Sequence, residues 1–154
     1  MIRLAFLIVI AALGTTSLRA EFKAGAAVID ITPPKLPVLV NGGMMSRYVD
    51  KINTRVNARA IVATDGKEQI AIVVADSCMM SREVLDDAKA MAAKKTGIAT
   101  DHMLISATHA HSAPASMGCL GTDPDPNYVP FLKEKLVEAI AAAQAKMMPA
   151  RIGF

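Results

Sequence analysis

An α/β fold, built on a mixed β-sheet with flanking helices, is predicted by three features of this 154-residue sequence. Two apolar runs, "EQIAIVVADSC" and "HMLISAT", flank a helix-patterned segment. A strand, a helix and a second strand in one sheet imply a right-handed parallel crossover. Ahead of them, "TRVNARAIVAT" is joined to the first run by "DGK", a tight turn that adds an antiparallel hairpin. Behind them, residues 128–147 carry the apolar stripe of an amphipathic helix. The length suits one domain with a real core.

The chain begins with "MIRLAFLIVIAALGTTSLRA", in which basic Arg3 precedes an apolar stretch from Leu4 to Leu13 and a small, polar end. This is the layout of a secretory signal peptide, with cleavage expected near Glu21 after Leu18 and Ala20. The apolar stretch is about half of the roughly 20 residues that span a bilayer. Residues 1–20 are therefore read as a signal peptide, and the protein as secreted or periplasmic. Arg3 and Arg19 are two of the 17 basic side chains, so the remainder holds 15 against 14 acidic ones. With that near-balance and no basic run interleaved with aromatics, nothing points to nucleic acid.

"FKAGAAVIDITPP" reads as a strand from about Lys23 to Ile31, stopped by Pro33 and Pro34. "KLPVLVNGGMMSRYVDKIN" has no clean period and reads as a long ordered loop, a kind of segment that often carries function. In the hairpin turn, Gly66 is free to take positive φ. The near-continuous apolar character of "EQIAIVVADSC" predicts burial on both faces, and "HMLISAT" reads as a further buried strand. Ser81 is placed as an N-cap, with Val84, Ala88 and Met91 on the buried face of the helix and Gly97 as its stop. Pro149 is expected to close the last helix, and "ARIGF" to begin another strand.

Ligands of open α/β sheets bind beyond the carboxyl ends of the parallel strands. Two such ends carry polar residues: Asp76 and Ser77 in "VVADSC", and Thr108, His109, His111 and Ser112 in "ISATHAHS". Histidines at i and i+2 of extended backbone project to one side, and neutral imidazole is an ordinary zinc ligand. A catalytic zinc needs three protein ligands and an open position for water, so two histidines are an incomplete set, with Asp76 a speculative third. A solvated strand end without metal is the alternative reading of the same residues.

"LISATHAHSAP" resembles the Thr-His-Thr-His-Ser-Gly-Pro signature of the neutral/alkaline, non-lysosomal ceramidase family. In the family's order, "AGAAVIDITPP" is similar to its opening strand and "NGGMMSRY" to its glycine- and methionine-bearing loop. "VNARAIVATDG" and "IAIVVADSCMMS" resemble the two strands after that. The resemblance covers residues 24–154 and implies a Zn2+-dependent amidase that hydrolyses the N-acyl bond of ceramide to sphingosine and fatty acid. It implies His109 as a zinc ligand, and His111 as the catalytic neighbour that lines the pocket beside the reacting amide. Gly42 and Gly43 become substrate-facing, and Asp76 and Ser112 second-sphere candidates. The implied partner is a ceramide-like lipid, with contact to a membrane surface; no protein partner follows.

Ala110 and Ala113 replace the family's second Thr and its Gly, and "ASMGCLGTDPDPNY" after Pro114 lacks the aromatic-bearing continuation that shapes the family's substrate entrance, which leaves room for a related amide or ester substrate. The family's other zinc ligands lie further along a longer chain. Residues 21–154 are thus expected to be the incomplete N-terminal part of a larger catalytic domain, inactive alone. A non-catalytic extracytoplasmic module with the same fold is the competing reading. Among the remaining residues, Met44, Met45, Met79 and Met80 read as gap-filling core. Cys78 and Cys119 pair or stay as thiols. Asp123 and Asp125 lack the further ligands of a calcium loop.

Overall fold

The computed structural model describes residues 21–153, so the signal peptide expected over 1–20 lies outside the described residues. The first strand, β1 (Lys23–Asp30), runs as expected into Thr32 and the prolines. The segment read as a loop contains a small two-stranded ribbon, β2 (Val38–Val40) and β3 (Arg47–Val49), with Val38 opposite Val49. These three-residue strands are too short to show a period, which is why the pattern missed them. Met44 and Met45 sit at the ribbon's tip and are 80% and 78% exposed, so they are not core. Met80, by contrast, packs against the core.

β4 (Asn57–Thr64) and β5 (Gln69–Ala75) form the expected hairpin. Asp65 Oδ1 accepts the N–H groups of Lys67 and Glu68, each at 2.9 Å, and Gly66 takes φ 91°. The crossover helix α1 (Arg82–Thr96) starts at Ser81, whose hydroxyl accepts the Val84 N–H, and ends at left-handed Gly97. Its buried positions are Val84, Ala88 and Ala92, a strict i+4 row, and Met91 faces outward. β6 (Met103–Ala107) then lies parallel to β5, with Val73 opposite Ile105.

The last helix, α2 (Tyr128–Gln144), ends three residues earlier than its apolar pattern suggests. β7 (Met148–Pro149) follows, pairing with Lys23 and Ala24 of β1, and the Ala150 N–H donates to Phe22 O. Pro149 therefore belongs to the strand itself. It is tolerated because β7 is an edge strand that needs no donor there. The five-stranded sheet has the order β6-β5-β4-β1-β7, antiparallel throughout except for the β5–β6 pair.

Both helices lie on one face of this sheet. α2 crosses β1 and β4 and packs beside α1, enclosing Val62, Val73, Leu132, Leu136 and Ile140. Only Gly fits at position 25, since a Cβ there would come within 2.1 Å of the Ala143 carbonyl of α2. The expectation that β5 and β6 are buried on both faces does not hold for the described residues. Ile70, Ile72 and Leu104 point to the other face and are exposed, as are Val28 and Ile61. Right-handedness places α1 on one side, and α2 takes the remaining surface of that same side.

Candidate metal centre

The carboxyl ends of β5 and β6 are stitched together beyond the last strand residues. Thr108 N–H donates to Ala75 O and Ala110 N–H to Ser77 O, each at 3.0 Å. Between them the chain leaves extended geometry: His109 has φ 64°, in the left-handed region that non-glycine residues seldom occupy. The same-side argument for two histidines in a strand therefore fails, because His109 lies two residues past β6. Its left-handed backbone turns the ring back over the β5 exit, where His109 Nδ1 meets Cys78 O at 2.8 Å. The two imidazoles still converge, with Nε2 of His109 and Nε2 of His111 3.0 Å apart and the rings edge to face. Such residues persist only where the surroundings over-determine them, and they cluster at functional sites.

These partners assign the tautomers. A carbonyl only accepts, so His109 carries its hydrogen on Nδ1 and has a lone pair on Nε2. His111 then donates Nε2–H to that lone pair. An imidazole whose far N–H is held by a backbone carbonyl is the usual arrangement of a metal-ligating histidine. The residues therefore fit a zinc-type ion, with His109 Nε2 as the prepared donor.

The third member of the cluster is Cys78, which sequence patterning left as a structural thiol or half of a disulfide. One ligand atom from each of Cys78, His109 and His111 lies within 4.8 Å of the others. Cys78 is 2% exposed, and both cysteines are free thiols. Burial pushes the Cys78 thiol above its ordinary value, and the nearby Cys119 adds to the shift. The signal was available: Cys78 follows Asp76 by two residues at the very strand end where a ligand site was expected.

The other anticipated residues fall around this centre. Gly42 touches it indirectly: it has φ 97°, and a Cβ there would come within 2.5 Å of His111 Cα and Cβ. It serves as a backbone buttress for His111, whereas Gly43 meets only Met45 backbone at 3.5 Å and beyond. The loop is held by Asn41 N–H to Ala113 O and Ala115 N–H to Leu39 O. Asp76 is engaged away from the histidines, accepting Asn57 N–H at 2.9 Å and Arg59 at 2.8 Å. Ser112 and Ala110 line a cleft of about 440 Å³ with Asp76, Arg47 and Val40, and neither imidazole is among its lining residues.

Two buried groups that hold the rim were not anticipated. Asp125 Oδ1 accepts the N–H groups of Asn127 and Tyr128 at the start of α2, and its Oδ2 accepts Leu39 N–H of β2. The Ser116 hydroxyl donates to Met79 O at 2.7 Å and accepts from the Ser77 hydroxyl at 2.8 Å. The acidic loop is a clamp between α2 and the ribbon.

Fold and site together define an α/β protein with a candidate metal centre at the carboxyl ends of the parallel β5–β6 pair. The chain belongs to the neutral/alkaline non-lysosomal ceramidase family, matching the family's N-terminal region over residues 22–153. It is similar in structure to the neutral ceramidase from Pseudomonas aeruginosa, with a TM-score of 0.72 and 22% identity. A second similar structure is a ceramidase complexed with C2, with a TM-score of 0.68 and 21% identity. In both cases 84% of this chain is covered, and the chain spans 22% of the length of its counterpart. No curated protein matches the sequence.

Proposed function

We propose that this chain supplies the His109 part of the metal site of a secreted or periplasmic, zinc-dependent amidohydrolase that cleaves ceramide-type lipids to sphingosine and fatty acid. The observation that carries the reading is the preparation of His109: Nδ1–H is spent on the Cys78 carbonyl, and Nε2 faces His111 at 3.0 Å. A bound zinc supplies Lewis acidity toward the amide carbonyl and a water of lowered pKa. His111 presents Nε2–H toward the same point, where it can donate to the oxygen that gains charge as the amide carbon becomes tetrahedral. Gly42 keeps that ring in place by letting the ribbon close against its backbone. The lipid partner is supported by the ribbon tip beside this loop, where Met44, Met45 and Tyr48 stand exposed next to Arg47. Among the described residues no helix is long and apolar enough to cross a membrane.

The test is hydrolysis of a fluorescent N-acyl ceramide by the full-length protein, with and without a chelator. Turnover is expected to be lost on chelation, restored by zinc and absent in His109→Ala. Turnover that survives both chelation and that substitution contradicts the reading.

A further inference from the structure

The sheet face turned away from α1 and α2 is aliphatic across four strands. By register, Ala26, Ile61, Ile72 and Leu104 lie opposite one another over β1, β4, β5 and β6, in one continuous row. Beside it, Ala24, Ala63 and Ile70 form a second row in β1, β4 and β5. Ile61, Ile72 and Leu104 are 54%, 41% and 58% exposed. A sheet with one solvated face alternates apolar-in with polar-out, whereas here both sets of positions are apolar. Toward the carboxyl end of β5, charge enters one row further on, where Arg59 is tied to Asp76 at 2.8 Å. At the other end, Phe22, Ile61, Ile70 and Ile72 enclose with Ala150 and Ile152 an apolar cleft of about 270 Å³.

Strands about 4.8 Å apart and rows about 6.8 Å apart give this aliphatic area a footprint of roughly 20 by 20 Å. Pairing two copies through it would bury on the order of 1,000 Å² in total, below the about 1,200–2,000 Å² of stable specific interfaces. A layer supplied by the same polypeptide needs no such area, because it loses no translational or rotational freedom on docking. The chain spans 22% of the length of the ceramidase structures it resembles, so most of such a polypeptide is available for that layer. Resting on the reading of residues 21–154 as part of a larger catalytic domain, we propose that this face is an internal interface. An aliphatic surface from a later region of the same longer polypeptide packs on it, with side chains seated in the cleft beside Ile70 and Ile152. The occupant carries no charge over Ile61 and Ile72, where an ion would lose its water and find no partner. The sheet is then a middle layer, with helices on one side and that region on the other.

Thiol labelling of the full-length protein tests this. Leu104→Cys, in a Cys119→Ser background, is reacted with a maleimide in the native state and in urea, and labelling at that position is followed by mass spectrometry. Native labelling is expected to be at least about 100-fold slower than in urea, since it waits on opening of the interface. The protection should be the same at every protein concentration, with a monomer in light scattering. Where Leu104→Cys does not fold by circular dichroism, Ala26→Cys in the same row is read in the same way. Native labelling as fast as in urea shows an open face and overturns the proposal. Protection lost on dilution, together with a dimer in light scattering, assigns the face to a second copy and also overturns it. Ceramide turnover by a protein whose introduced thiol labels freely overturns this inference alone. A protected thiol in a protein without turnover supports it and counts against the amidase reading.

Discussion

The two faces of the five-stranded sheet are made from the same strands and have opposite surroundings. In β6, Met103 and Ile105 are buried under α1 and α2, whereas Leu104 between them is 58% exposed. In β5, Ala71 and Val73 are buried, whereas Ile70 and Ile72 on the other face are not. A uniformly apolar strand is composed for two covered faces, but the described residues cover one. Composition reports what a strand is built to face, and only the positions of the helices report what it does face. An exposed apolar surface of this kind is uncommon on a free monomer.

A matched pair of substitutions breaks or confirms this comparison with the largest effect. Leu136→Ala, at a position 0% exposed, is expected to cost about 2–5 kcal/mol in urea denaturation. In the 154-residue chain the chemically identical Leu104→Ala should change stability by no more than about 0.5 kcal/mol. Similar losses at both sites would show that the open face is covered in solution without the longer polypeptide.

The rim that carries the histidines is expected to respond between these extremes. Gly42→Ala places a Cβ against His111 at a backbone angle that L residues rarely adopt, and should cost about 1–3 kcal/mol. Its signature is a displaced His111 imidazole by NMR with the core signals unchanged. Asp125→Ala removes acceptors for three N–H groups and should cost about 1–2 kcal/mol, seen as a lower melting temperature. Loss of protection at Leu39 in hydrogen exchange would separate the clamp to β2 from the simple helix cap.

The smallest effect is the acid response of Asp30. Its carboxyl is held below the usual range first by Thr32, through its hydroxyl and its N–H, and then by Arg55. A depressed folded-state value means stability that is complete above the unfolded pKa of about 3.9 and is lost as pH falls through the folded value. Asp30→Asn should therefore flatten only the most acidic part of the stability profile.

Much of the covered face was legible in the sequence. Ser81 and Gly97 bound α1, the Asp65–Gly66 turn sets the β4–β5 register, and the order of runs implies the parallel pair. Each is a local rule, settled within a few residues. The rest depended on contacts distant in sequence. The β2–β3 ribbon has no period of its own, and Pro149 pairs because β1 lies beside it. At the site, His109 and His111 were visible as a motif, but the reason they meet was not. They converge through a left-handed turn stitched to the β5 exit, not through strand alternation. Cys78 was overlooked because a cysteine has two bland readings, and only the fold sets its sulfur beside the imidazoles.

The most direct test of the metal centre is an anomalous difference map, recorded across the zinc absorption edge, from crystals of the protein grown with zinc. A single peak about 2.0–2.1 Å from His109 Nε2 is expected, with His109 Nδ1 still on the Cys78 carbonyl. A map with no peak there, and His109 Nε2 bonded to His111 Nε2 instead, would contradict it.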